Sequence, residues 1–327
     1  MASSKQLIAM IRSHAAGDDT RFLAVADHIA SDASKAGHHR MADEIRTLVV
    51  SLREEAGERR GACRPTPIAA PRGELASLVR TTYPETRLSD VVLNDDVDTR
   101  LRRIVREHRE RSLLAERGLN PRRKVLLSGP PGTGKSMTAA GIAGELGLPL
   151  FTVLLDGVIT KFMGETAAKL RLVFDAMQGS RGVYFFDEVD ALATRRGAEN
   201  DIGEARRMLN SFLQFLDEDS SGSLILAATN HQELLDRAIF RRFEATIGYD
   251  LPPPDHVRRI LTQRLPQFDL STVSWDAVSH AAAGLSQADL VAAADDAARD
   301  AVLEEDGDLT GDVLLRAVRE RIQPEHA

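Results

Sequence analysis

The sequence predicts an α/β protein in which a parallel sheet is covered by helices on both faces, with a helical piece at either end of the chain. Three observations carry this. Beyond residue 88, short apolar runs alternate with longer stretches of helical periodicity: VLLS (125–128), LFTVLL (150–155), VYFF (183–186), LILAAT (224–229) and ATIGY (245–249). Runs that are apolar throughout suit strands buried on both faces, and regular alternation with helices suits parallel order. After Pro252, Pro253 and Pro254 the strand signals cease, and helical patterns alone follow, led by Val257, Ile260, Leu261 and Leu265.

The elements follow in order. In the first 56 residues, Phe22, Ala26, Ile29 and Ala33 recur at helical spacing, and so do Met41, Ile45, Leu48 and Leu52. A shorter helix around Leu7, Ile8 and Ile11 precedes them, and Asp18, Asp19 and Thr20 offer N-caps. Three short helices make a small core, so this unit is expected to lean on a partner or a neighbouring subunit. From Gly57 the periodicity stops, and Pro65, Pro67 and Pro71 rule out a helix interior. The chain therefore divides into an N-terminal helical adaptor domain (1–56), a linker (57–87), a large α/β subdomain (88–251) and a helical lid (252–327).

Bulk properties exclude several classes of function. The chain has 327 residues, 43% hydrophobic and 28% charged, which suits a folded globular protein rather than a disordered or fibrous one. Its 42 Lys and Arg against 49 Asp and Glu leave a net charge of −7, which repels phosphate backbones, so nucleic acid is not an expected partner. Cys63 is the single cysteine and permits no intrachain disulfide. No secretory leader or stretch of ~18 apolar residues is recognisable. A cytoplasmic protein without a membrane span is expected.

Directly after the first apolar run stands Gly129-Pro130-Pro131-Gly132-Thr133-Gly134-Lys135-Ser136, which matches G-x-x-x-x-G-K-[ST] between a strand and an Ala-rich helix. Glycines let backbone N–H groups turn inward around phosphate oxygens, and the N-terminus of the next helix adds partial positive charge. Lys135 offers a point charge for the β- and γ-phosphates, and Ser136 a hydroxyl for Mg²⁺. Some fifty residues on, VYFF ends in Asp187-Glu188. Acidic groups at a strand's C-terminal end sit at the mouth of an open α/β sheet, where ligands bind. Asp187 is suited to hold Mg²⁺ and Glu188 to deprotonate an attacking water. The run LILAAT ends at Asn230, whose amide can reach a γ-phosphate or that water.

Together these residues resemble the AAA+ ATPases, specifically the classical AAA group with a single module, over roughly residues 88–322. GPPGTGKS is similar to the family's Walker A, VYFFDEVD to its Walker B and ATN to its sensor 1, at Asn230. LLDRAIFRRFEATI resembles the segment carrying its arginine fingers, at Arg241 and Arg242, and GLSQADL (284–290) resembles the start of its lid helix. The resemblance implies a five-stranded parallel P-loop NTPase sheet with helices on both faces and a C-terminal helical lid. It also implies ATP and Mg²⁺ as cofactors, with Pro131, Gly132, Thr133, Gly134, Lys135, Ser136, Met137, Asp187 and Gly284 at the nucleotide, and Asp90, Val91 and Val92 lining the adenine pocket. It further implies a homo-oligomeric ring, usually hexameric, in which an arginine reaches the neighbouring protomer's γ-phosphate.

Two departures from the family pattern are visible. The arginine segment lacks an extra Gly-Arg step, leaving either Arg241 or Arg242 as the finger. Gln287 stands where the family often has Gly, and no sensor 2 arginine is recognisable.

The family's pore loop is matched by Lys161-Phe162-Met163-Gly164, whose aromatic and thioether groups can grip varied polypeptide side chains. One reading is thus a ring ATPase that threads, unfolds or remodels a protein client. The other is an ATP-switched binding module controlling a partner. The segment RFLAVADHIASDASKAGHHRMADEIRTL resembles that of bacterial AAA ATPases found beside subtilisin-like serine proteases in toxin-antitoxin or phage-defence pairs. An intrinsic protease is disfavoured, because there is no H-E-x-x-H motif and His231-Gln232-Glu233 does not supply one.

Overall fold

The computed structural model describes residues 73–158, 165–192, 201–304 and 307–322, together with positions 26, 29–31 and 47. The greater part of the N-terminal unit, Cys63, the segment Lys161–Gly164 and the stretch 193–200 lie outside the described residues. Ala26 and Ile29, both on the apolar stripe of an expected N-terminal helix, are helical and buried.

Six strands form one sheet: β1 (Val79–Thr82), β2 (Lys124–Ser128), β3 (Leu150–Val153), β4 (Val183–Phe186), β5 (Leu224–Thr229) and β6 (Ala245–Gly248). Their order across the sheet is β1-β3-β4-β5-β2-β6. The five anticipated strands are all present and mutually parallel. The expectation of five strands needs correcting, however, because β1 adds an antiparallel edge through Val79–Val153 to Thr82–Leu150 pairing. In VRTT only Val79 is buried, so this edge strand lacks the apolar run that marks the others. A helical turn at Leu75–Leu78 and β1 itself occupy part of the stretch expected to be linker, so ordered structure begins before residue 88.

Alternation along the central strands divides the core into two layers, as the period of two requires. Tyr184, Phe186, Leu126, Ile225 and Ala227 face one side, where they meet α3 (Glu165–Gly179) and α4 (Asp201–Glu218). Phe174, Phe186 and Phe212 cluster there, with ring centroids 5.2 to 6.0 Å apart. Val125, Leu127, Val183, Phe185, Leu224, Leu226 and Ala228 face the other side, against α1 (Asp95–Arg109) and α2 (Lys135–Leu146). In α1 the acidic residues Asp95, Asp96 and Asp98 open the helix and Arg106, His108 and Arg109 close it, matching its dipole.

Among the described residues four helices follow the sheet: α5 (Pro254–Arg264), α6 (Trp275–Ala281), α7 (Gln287–Glu304) and α8 (Gly311–Glu320). They enclose a separate core in which Leu290, Ala293, Ala294, Ala297 and Ala301 of α7 meet Val257, Ile260 and Leu261 of α5 and Val313, Leu314 and Val318 of α8. The alanine stripe lets the helices approach closely, and Arg264–Asp295 at 2.6 Å ties α5 to α7 at the surface. Among the described residues no helix is long and apolar enough to cross a membrane.

Phe212 is fully buried between Phe174 and Phe186. Phe212→Ala is expected to cost about 3–5 kcal/mol of stability, measured by chemical denaturation.

Candidate functional site

The turn that leaves β2 is shaped by what surrounds it. Gly129 has φ +147°, and a Cβ there would stand 2.1 Å from the Tyr249 carbonyl oxygen at the end of β6. Gly132 has φ +72°, and a Cβ there would stand 2.4 Å from Ser286 Oγ, just before α7. Any side chain at either position would collide, and at Gly132 the left-handed backbone adds strain. The loop is therefore pressed between the sheet and the lid. The Ala288 N–H also donates to the Gly132 carbonyl at 3.0 Å.

Inside the loop, Thr133 Oγ1 donates to the Pro130 carbonyl at 2.8 Å. Lys135 Nζ donates to the Gly129 and Pro130 carbonyls at 2.7 and 2.8 Å, so its ammonium lies across the concavity of the turn. Burial pushes the Lys135 pKa below its ordinary value, opposed by the nearby Asp187, Asp190 and Glu188 carboxylates. Helix α2 starts at Lys135 with Gly134 as its N-cap, presenting unpaired N–H groups to the same concavity. Tyr249 OH braces the helix by bonding Thr138 Oγ1 at 2.8 Å, and burial raises the pKa of that phenol.

Sheet order brings the other candidates to this loop. β5 pairs with both β2 and β4, so the ends of three adjacent strands converge. Asp187, just past β4, accepts from Ser136 Oγ at 3.0 Å through Oδ2. Glu188 is exposed and has φ +51°, the one non-glycine in the left-handed region among the described residues. Such a conformation costs roughly 1–3 kcal/mol and persists where surrounding bonds impose it. Here the Glu188 N–H donates to Asp187 Oδ1 at 3.0 Å, and its carbonyl accepts from the Ala191 N–H at 2.8 Å.

Asn230 follows β5. Its backbone N–H donates to Asp190 Oδ1 at 3.3 Å, and the same carboxylate oxygen accepts from Thr229 Oγ1 at 2.8 Å. Asp190 was not among the sequence candidates, although it closes the DEVD run; its signal is the spacing that returns it, one turn past Asp187, towards β5.

On the lid side, Gly284 (φ +87°) precedes Leu285, which enters the lid core, and Ser286. Ser286 and Asp289 cap α7 reciprocally: the Ser286 N–H donates to Asp289 Oδ2 at 3.0 Å, and the Asp289 N–H to Ser286 Oγ at 3.2 Å. Val91 and Val92 are buried, whereas Asp90 and Met137 are exposed. Arg241 is exposed and has no hydrogen-bond or ion-pair partner among the described residues. Arg242 is engaged, with Nε 3.2 Å from Asp217 Oδ2 and Nη1 donating to the Ala238 carbonyl at 3.0 Å. Those groups line a surface cavity of about 560 Å³ beside α4. Lys161, Phe162, Met163 and Gly164 lie outside the described residues.

The Ser136 hydroxyl and Asp187 carboxylate supply only oxygen donors, converging beside a cationic loop. That set fits a hard divalent ion such as Mg²⁺ that keeps waters and shares phosphate oxygens.

A sequence profile described as "ATPase family associated with various cellular activities (AAA)" matches residues 125–251. An uncharacterized AAA family ATPase of Sinorhizobium fredii is 38% identical over 248 residues, covering 75% of this chain and 74% of its own. The ATP-dependent zinc metalloprotease FtsH of Acidothermus cellulolyticus is 33% identical over 284 residues, and the match spans 84% of this chain but 42% of that protein. Among solved structures, the FIGL-1 AAA domain superposes with a TM-score of 0.61 at 24% identity, covering 76% of this chain and 87% of that one, which bears on the fold alone.

Lys135→Ala removes the buried ammonium from the loop. It is expected to weaken ATP binding by about 10- to 150-fold, the worth of charged hydrogen bonds, with no change of fold. Calorimetric titration with parallel circular dichroism checks both.

Proposed function

This chain belongs to the AAA family of ATPases and hydrolyses ATP, and from that premise we propose that it works as a ring whose turnover remodels, unfolds or threads a protein client. The observation that carries this reading is the contrast between two adjacent arginines. Arg241 is exposed with no partner among the described residues, as a group delivered to a neighbouring protomer must be, while Arg242 is tied down by Asp217 and the Ala238 carbonyl. We assign Arg241 as the finger and Arg242 as the strut that fixes the turn carrying it. A heterologous contact of this kind generates a ring when it closes, and six copies is the number we propose.

Each residue then has one task. Backbone N–H groups of Gly132 to Ser136, the start of α2 and the Lys135 ammonium bind the phosphates. Ser136 and Asp187 would hold Mg²⁺, which when bound neutralises charge developing on the phosphates. Glu188 accepts a proton from the attacking water as that water's oxygen bonds to the γ-phosphorus and the bond to the β-phosphate oxygen breaks. Asn230 orients the water or the γ-phosphate, with Asp190 fixing its backbone. Arg241 of an adjacent protomer stabilises the transition-state charge.

Client handling is supported by the Lys161-Phe162-Met163-Gly164 sequence and by similarity to FtsH, named as an ATP-dependent protease. This chain spans less than half of that protein's length, and the 327 residues contain no H-E-x-x-H motif. The resemblance of residues 21–48 to ATPases paired with subtilisin-like serine proteases favours a second reading, in which the nucleotide state switches capture of one such protease in a toxin-antitoxin or phage-defence pair. We place the adaptor domain at 1–56 in either case, as the part that selects the partner.

Glu188→Gln is expected to retain ATP binding and to lower turnover about 10²- to 10⁴-fold, measured as phosphate release. Used as bait with ATP, the same variant should retain assorted unfolded proteins under the first reading and a single serine protease under the second. Arg241→Ala should lower kcat about 10³-fold or more with ATP still bound, and Arg242→Ala should lower it less. Equal losses, or a larger loss at Arg242, would reverse the assignment.

A further inference from the structure

Residues 91 and 92 point into different cores. Val91 packs with Leu88, Leu101 and Ile142 beneath the sheet, and Val92 packs with Val257, Ile260 and Leu290 in the lid. This short extended segment therefore joins the two parts of the molecule, and two carbonyls along it are held from the lid side. The Asp90 carbonyl accepts from Gln263 Nε2 of α5 at 3.3 Å. The Val92 carbonyl accepts from Nε2 of Gln287, the first residue of α7. The Gln287 amide oxygen also lies 3.3 Å from the Cβ position of Gly134, with Val91 Cγ1 at 3.4 Å from the same point. One half-buried amide thus fills the gap bounded by the phosphate loop, the 91–92 segment and the start of the lid helix.

That gap is where a nucleoside must go. The terminal phosphate belongs beside Lys135, Asp187, Glu188 and Asn230, at the ends of β4 and β5, so the sugar and base leave the loop on its other flank. Val91, Val92 and Gln287 form that flank. We propose that Gln287 is a latch on the base side of the nucleotide site, whose amide must leave the Val92 carbonyl before the base of ATP or ADP can seat. The proposal rests on reading Gly129–Ser136 as the phosphate site. The chemistry of the exchange is symmetrical: the amide N–H₂ that leaves and the exocyclic amine of adenine are both donors to a carbonyl, whereas guanine presents an acceptor at the corresponding position. A glycine at this place has no side chain to compete, so the latch belongs to this chain's departure from the family pattern.

The test is calorimetric titration of the full chain with ADP and, separately, with tripolyphosphate, which engages the phosphate loop but has no base. Gln287→Ala is expected to tighten ADP binding about three- to tenfold, the worth of one net hydrogen bond, and to leave tripolyphosphate binding unchanged. Gln287→Met, which keeps the bulk but loses the donor, should tighten ADP binding by a smaller factor and serves alone if the alanine variant does not fold. Unchanged or weaker ADP binding in the variants overturns the latch, and so does an equal gain for tripolyphosphate, which would mean a loosened lid. Failure of the underlying site reading looks different: wild-type protein would bind neither ligand, or Lys135→Ala would bind both as tightly as wild type.

Discussion

The structure depends on how closely backbone is allowed to approach backbone at the phosphate loop. Gly129 lies against the Tyr249 carbonyl at the end of β6, and Gly132 lies against Ser286 at the entrance to the lid helix. These two contacts leave no room for a Cβ, and they fix the loop from opposite sides. Under the proposed phosphate-binding role, a loop fixed in this way would not need to rearrange when phosphate arrives, which is the condition for strong electrostatic stabilisation. The same contacts couple the lid to the site, because any movement of α7 bears directly on Gly132 through Ser286 and the Ala288 N–H.

Sheet order supplies the rest of the site. Placing β5 between β4 and β2 brings Asp187 and Glu188, Asn230 and the phosphate loop to one edge, although more than ninety residues separate Gly134 from Asn230 in sequence. Two details show how tightly this edge is specified. Glu188 is held in a strained left-handed conformation by bonds to Asp187 and Ala191. One oxygen of Asp190 bonds both Thr229 and Asn230, fixing the end of β5 against the turn that follows β4. Strain and satisfied polar networks at a strand edge are what a preorganised reaction centre requires.

Much of this was legible in the sequence because the signals were local. Five strands announced themselves as short apolar runs, and GPPGTGKS was recognisable from its spacing as a turn between a strand and a helix. β1 was hidden because VRTT has a single apolar residue, and its antiparallel pairing with β3 depends on a tertiary contact that no local pattern records. Asp190 was quoted within a motif, yet its bonds to Thr229 and Asn230 depend on strand order. The contrast between Arg241 and Arg242 was likewise beyond sequence reasoning, since it turns on Asp217 lying within reach of one guanidinium and not the other. Gln287 was visible as a departure, but its meaning came from the Val92 carbonyl it bonds, 195 residues away.

The central claim is that a complete catalytic site is shared by two copies of this chain, with the phosphate loop from one and Arg241 from the next. Mixing two impaired variants, at an ATP concentration too low to load Lys135→Ala, tests it most directly. Lys135→Ala lacks a working phosphate loop but keeps its arginine, and Arg241→Ala keeps the loop but lacks the arginine. If the arginine acts across an interface, combining the two proteins restores ATP hydrolysis, because some junctions pair an intact loop with an intact arginine. A mixture that stays at the summed rate of its components, while native mass measurement shows that mixed assemblies have formed, would contradict the shared site.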